Sequence, residues 1–182
     1  KTPEMWIFFI LWVGHYFNRS IIFPLRQKDA KDTAVLVVSL AILFNIMNGF
    51  INGYYLGSQS FVQDQYSNYF TSMNFILGLI VFITGAFINI KSDEILFSLR
   101  KQKEGYSIPQ NFMYKYISCP NYFGEIIEWL GFAIMVCSLP AFIFVFWTMF
   151  NLIPRAVAHH KWYKNKFSNY PENRKAIIPF IL

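Results

Sequence analysis

Four stretches of this sequence are apolar for long enough to reach across a bilayer, and no other feature narrows the possible folds as far. A helix rises about 1.5 Å per residue, so the ~30 Å of hydrocarbon needs about 20 residues. The first stretch runs from Met5 to Phe23 and is interrupted by His15, Asn18 and Arg19. The second, 33–56, carries Asn45, Asn48 and Asn52. The third, 72–90, is almost purely apolar (FILGLIVFITGAFINI). The fourth, 121–154, is apolar apart from Glu125 and Glu128. It is too long for one crossing and short for two, and Pro140 is the expected break, because proline cannot donate within a helix. Composition agrees: 55% of the 182 residues are hydrophobic, 20% aromatic and only 14% charged. A soluble domain carries about 25% charged residues. Disorder, collagen and coiled coil are excluded, since each needs low apolar content or a strict repeat.

The charged residues then orient the spans. The net charge is +6, from 16 Lys plus Arg against 10 Asp plus Glu. Arg26, Lys28 and Lys31 follow the first stretch, while 57–71 holds no Lys or Arg. Lys91, Arg100, Lys101, Lys103 and Lys115 follow the third stretch, and Arg155, Lys161, Lys164, Lys166, Arg174 and Lys175 follow the fourth. The positive-inside rule places 26–31, 91–121 and the C-terminal tail in the cytoplasm and 57–71 outside. Two cytoplasmic ends require an even number of crossings between Asn121 and Arg155, so a hairpin of two short helices is expected there. The predicted fold is all-α, a polytopic membrane helix bundle with about five spans, and residues 1–182 form one domain. The basic excess is thereby explained as topology, and nucleic acid is not an expected partner. Residues 92–100 and 155–167 are expected to continue the third and last spans as amphipathic helices.

Several classes of chemistry are missing. Cys119 and Cys137 are the only cysteines, outside any ligand spacing, so neither a disulfide framework nor a metal site is expected. There is no GxGxxG after a strand, no GxxxxGK[ST], no HExxH and no GxSxG. Any nucleotide is held by individual Arg, Asn, Asp and Tyr side chains. The chain begins at Lys1 with no signal-peptide pattern, and an N-terminal portion is expected to be absent.

Polar residues inside apolar stretches need reasons. Asn45, Asn48 and Asn52 share a helix face with the GxxxG pair Gly49 and Gly53, which fits helix packing or the lining of a polar ligand cavity. Glu125 and Glu128 lie one turn apart at the expected head of a helix. They fit either the helix dipole or a carboxylate accepting hydrogen bonds from a ligand. His15, Tyr16, Asn18 and Arg19 fit an interfacial cap, or a Tyr16 hydroxyl aimed into a cavity as proton donor. His159 and His160 diverge by ~100° on a helix, so one metal ion is not expected to take both. One of them beside a phosphate or nucleobase is the better fit.

The motifs GHYFNR (14–19), NGFINGYYL (48–56), GAFINIKSDEILFSLRK (85–101), GYSIPQ (105–110), NYFGEIIEWLGFAI (121–134), AHHKWYKNKF (158–167) and YPENRKAIIPFIL (170–182) resemble, in order, the steroid 5-alpha-reductase family. The resemblance implies a seven-span membrane oxidoreductase that uses NADPH to reduce the 4,5 double bond of a 3-oxo-4-ene steroid. It implies Tyr16 as the catalytic donor at the ketone oxygen, working with a Glu of the absent N-terminal part. It also implies that Asn89, Asp93, Arg100, Tyr106, Asn121, Glu125, Arg155, His159 and Tyr163 hold the dinucleotide. Arg174 is a weaker candidate, since it fits an anchor for the terminus equally well. The sequence departs from the family at Ser107, where a second Arg is frequent, and Arg26 and Lys28 do not align firmly. The expected substrate is a steroid or a related flat enone lipid, the expected surroundings are membrane lipids, and a monomer is expected. Two other classes compete: an isoprenylcysteine-type membrane methyltransferase and a non-catalytic sterol or lipid binder.

Overall fold

The computed structural model describes residues 3–27, 34–58, 69–102 and 105–182. Lys28, Lys31, Lys103 and most of the 57–71 connection lie outside the described residues. Helix α1 (Pro3–Phe17) passes directly into a π-helical turn (Asn18–Ile22) and a last helical turn, α2 (Phe23–Arg26). Pro24 sits at the start of α2 and lacks the N–H that a regular helix would use there, and the widened turn lies just upstream of it. Four helices follow: α3 (Val35–Gly57), α4 (Met73–Gln102), α5 (Pro120–Val136) and α6 (Leu139–Lys166).

Four segments are long and apolar enough to span a membrane, namely Met5–Arg26, Val35–Gly57, Met73–Lys101 and Leu139–Lys166. Their polarity is reversed relative to a soluble helix. In α3 the side chains of Val35, Leu36 and Phe50 are exposed, whereas Asn48 and Asn52 are the buried ones. An apolar exterior around buried amides is stable only where hydrocarbon replaces water outside. The expected hairpin is present, with one correction: its two helices are unequal. Helix α5 has only 17 residues and is the inner element, burying Glu128, Trp129, Phe132, Ala133, Met135 and Val136. Helix α6 has 28 residues and continues through Pro154. The break falls at Cys137, in a left-handed conformation (φ 50, ψ 42), and Ser138 caps α6 by accepting from the Ala141 N–H. Pro140 follows within the first turn of α6, where a missing N–H costs nothing. The amphipathic stretches 92–100 and 155–167 are, as expected, the closing turns of α4 and α6.

The tightest contact in the bundle is between antiparallel α4 and α5, and four glycines make it. A Cβ added to Gly78 would lie 2.7 Å from the Gly131 carbonyl oxygen, and one on Gly124 2.8 Å from that of Gly85. Gly78 and Gly85 are seven residues apart, as are Gly124 and Gly131, so the two pairs face each other along one seam. Aromatic packing completes the interior. Trp129 lies 4.9 Å from Trp12 and 4.7 Å from Phe144, and Phe44 stacks on Trp147 at 4.6 Å. At one end the Tyr69 hydroxyl donates to the Met135 carbonyl. At the other, the tail folds back on the 105–119 connection. Ser118 N–H donates to Lys175 O at 2.8 Å and Lys175 N–H to Tyr116 O at 2.9 Å. Buried Arg174 donates to the Pro109 carbonyl at 3.0 Å and lies over the Tyr170 ring, so it serves as the tail anchor.

The glycine seam makes a sharp contrast testable. Gly85→Ala or Gly131→Ala forces a Cβ against partner backbone and should destabilise the solubilised protein by about 1–3 kcal/mol. Gly49→Ala and Gly53→Ala meet nothing within 4 Å and should leave the thermal unfolding midpoint unchanged.

Candidate cofactor and substrate site

The ends of α2, α4 and α6 and the start of α5 surround a polar cavity of about 570 Å³, within the size range of small-molecule sites. Six of the residues singled out from the sequence line it: Asp93, Arg100, Tyr106, Asn121, His159 and Tyr163. Three do not. Asn89 lies behind the wall and donates to the Asn121 carbonyl at 2.9 Å, which orients Asn121. Arg155 is exposed on α6 one turn before His159. Glu125 is held back by Arg19. Around the mouth, Tyr106 packs edge-on against Trp162 at 4.9 Å, and Tyr163 stacks on Tyr170 at 5.4 Å. The adjacent histidines diverge as expected. His159 faces the cavity, while His160 Nδ1 bonds the Ser118 hydroxyl at 2.6 Å and Ser118 also meets the Tyr170 hydroxyl at 2.6 Å.

Arg19 is the central cation of the site, and the sequence suggested only an interfacial cap for it. One guanidinium nitrogen lies 3.5 Å from Asp93 Oδ2 and another 3.5 Å from Glu125 Oε2. Asn121 donates to the other Asp93 oxygen at 3.0 Å. One turn deeper, His15 Nδ1 meets Glu128 Oε1 at 2.9 Å. His15 and Arg19 on α1 thus face Glu128 and Glu125 on α5 as two rungs of an antiparallel ladder. A signal for this existed: basic groups four apart opposite acidic groups three apart. The helix-head placement of both glutamates is corrected, because α5 begins at Pro120 and has no acidic residue in its first turn. They lie past the reach of the terminal dipole. The Oε2 atom of Glu125 is buried and has no hydrogen bond. Arg19 balances its charge at ion-pair distance and leaves that oxygen free to accept a donor.

Tyr16 lies on α1 between residues that line this polar cavity and residues that line a second, apolar one, and its own side chain lines neither. Trp12 and Val13, one turn before it, line a cavity of about 520 Å³ shared with Trp6, Phe8, Leu56 and Phe132. Arg19 and Phe23, after it, line the polar cavity. The Tyr16 ring packs against Trp12 at 5.8 Å and Trp129 at 5.9 Å. The Asn48 Nδ2 is buried without a hydrogen-bond partner. Gly49 and Gly53 line the apolar cavity rather than a helix contact. Cavity lining, not GxxxG packing, is therefore the role of the Gly49–Gly53 pair.

Sequence reasoning also passed over Ser118, Cys119 and Tyr122 on the polar cavity wall. Burial pushes the Cys119 thiol up to about 12, so it lines the wall as an uncharged group. Among the described residues no three potential metal ligands converge. Removing the central cation has a defined consequence. Arg19→Met leaves Asp93 and Glu125 facing each other and should lower stability by about 1–3 kcal/mol at neutral pH. Thermal unfolding at neutral pH checks this.

Comparison with known proteins supplies the family. A family model described as 3-oxo-5-alpha-steroid 4-dehydrogenase matches residues 31–182. The chain is 43% identical to steroid 5-alpha-reductase DET2 of Arabidopsis thaliana, over 99% of this chain and 71% of that protein. It is 40% identical to 3-oxo-5-alpha-steroid 4-dehydrogenase 1 of Rattus norvegicus, over 94% of this chain and 66% of that protein. The human protein of the same name is 38% identical, over 96% of this chain and 67% of its own length. With its reversed polarity, its bundle of apolar helices and these matches along almost the whole chain, the protein belongs to the 3-oxo-5-alpha-steroid 4-dehydrogenase (steroid 5-alpha-reductase) family.

Proposed function

We propose that the protein reduces the 4,5 double bond of a 3-oxo-4-ene steroid, or of a related flat enone lipid, with NADPH as reductant. The observation that carries the reading is the place of Tyr16 on α1, with an apolar cavity one turn to one side and a polar cavity one turn to the other. A flat apolar substrate suits the first and an anionic dinucleotide the second. The relatives' names point to the same reaction class.

The residues of the polar cavity fit a dinucleotide on an observation of their own. Glu125, behind the cavity wall, has an Oε2 at ion-pair distance from Arg19 but without a hydrogen bond, and a carboxamide N–H that reached it would supply one. Asn121 is oriented by Asn89 and Asp93 to work beside it. Arg100 and Arg155 suit phosphate oxygens, which guanidinium groups bind bidentately. Tyr106, His159 and Tyr163 offer ring faces and hydrogen bonds to the remaining length. When bound, the reduced nicotinamide supplies the hydride that the enone β-carbon accepts. As negative charge then grows on the ketone oxygen, the Tyr16 hydroxyl donates to that oxygen and favours the transition state over the ground state. Trp12 and Trp129 exclude water from around the phenol, which strengthens that hydrogen bond. In the membrane, the end bearing the polar cavity and the tail faces the cytoplasm, in line with its basic residues.

Purified protein should oxidise NADPH in the presence of a steroid enone, and do so less well with NADH. Binding of S-adenosylmethionine with indifference to NADPH would overturn the reading in favour of a methyltransferase. Binding of the steroid without turnover would favour a lipid binder. Tyr16→Phe should cut kcat by about 10²–10⁴ with NADPH affinity unchanged. Glu125→Ala should weaken NADPH binding by about tenfold, measured by cofactor fluorescence.

A further inference from the structure

We infer that the buried His15–Glu128 pair is a positioning device for Tyr16: it tethers α1 to α5 and sets the angle at which the phenol meets the substrate ketone. The inference rests on the reading of Tyr16 as the proton donor and adds residues that reading does not include.

Four observations carry it. The pair joins α1 to α5 at 2.9 Å, with the two side chains only 5% and 4% exposed. It is therefore a fixed contact and not a surface ion pair that solvent loosens. Neither side chain lines the polar or the apolar cavity. Both instead face a separate, smaller cavity of about 190 Å³, with Asn18 and Asn89. The imidazole is the immediate neighbour of Tyr16 in sequence and in space. Its ring lies 5.3 Å from the Tyr16 ring and 4.6 Å from Trp129, which also supports Tyr16 at 5.9 Å.

The physical need for such a tether follows from how α1 is held. No backbone approach like the glycine seam fixes it: a Cβ on Gly14 would meet nothing within 4 Å. Its rotation about its own axis is set by side chains, and rings alone slide on one another at little cost. A directional hydrogen bond between imidazole and carboxylate supplies the missing angular restraint. Because successive helical residues are ~100° apart, fixing His15 on α5 fixes the direction of Tyr16. A misplacement of about 1 Å at a reacting group costs about 10²-fold in rate.

Replacing both partners tests this without leaving a buried charge unpaired. The double variant His15→Phe/Glu128→Leu keeps the apolar packing and should fold with unchanged or higher thermal stability. Its kcat should fall by about 10- to 100-fold, with the steroid KM and NADPH affinity unchanged. Introduced into the Tyr16→Phe variant, the same two replacements should cost no further kcat, because the group they position is gone. Glu128→Gln, which keeps an acceptor for His15, should retain most of the activity. Full kcat in the double variant, loss of NADPH binding, or an equal further loss in the Tyr16→Phe background would overturn the proposal while leaving Tyr16 as donor. If Tyr16→Phe alone left turnover intact, the donor reading would fall and the positioning role with it.

Discussion

Everything in this bundle takes its place from the backbone contact between α4 and α5. In a bilayer the hydrophobic effect does not press helices together, so close packing must come from surfaces that fit. Four glycines in two pairs remove every side chain from one seam, and the antiparallel backbones meet there. That contact sets the register between the helices to within one residue. It brings Asn89 and Asp93 at the end of α4 against Asn121 at the start of α5, and turns Glu125 and Glu128 toward α1. The wall of the polar site is a consequence of the seam.

Helix α1 is attached in the opposite way. It meets α5 through Trp12, His15, Tyr16 and Arg19, all long side chains, and so stands farther off. Residues one turn before Tyr16 on α1 line the apolar cavity, and residues one turn after it line the polar one. A tightly zipped pair beside a stood-off helix thus explains why two cavities of different chemistry exist along α1 at all. Close packing throughout would have left room for neither.

Much of this was legible in the sequence, and what was not shares one cause. Apolar length marked the helices, Pro140 the hairpin to within three residues of the break at Cys137, and the amphipathic stretch 92–100 the continuation of the third span. Six of the nine residues assigned to the dinucleotide converge on one cavity. Arg19 was missed because its role depends on two carboxylates 74 and 106 positions away in the chain, and nothing within one helix reveals that pairing. The same limit misdirected attention to Gly49 and Gly53, a GxxxG pair that meets open space. The working glycines are spaced by seven on two separate helices, and only their mutual register makes them a seam. Glu125 and Glu128 were placed at a helix head although they are the sixth and ninth residues of α5, turned by the seam toward α1.

The charge distribution has a last consequence. Asp93, Glu125 and Glu128 gather around one arginine and one imidazole, within helices whose outer faces are almost wholly apolar. Burying three carboxylates beside so few cations is costly in a low dielectric. Selection for stability alone would replace them with leucine, as the aromatic interior one turn deeper shows is feasible. Their number therefore reflects work that apolar residues cannot do. Arg19 is shared between Asp93 and Glu125 without satisfying either completely, and the oxygen left over on Glu125 points to a partner that supplies N–H or O–H groups.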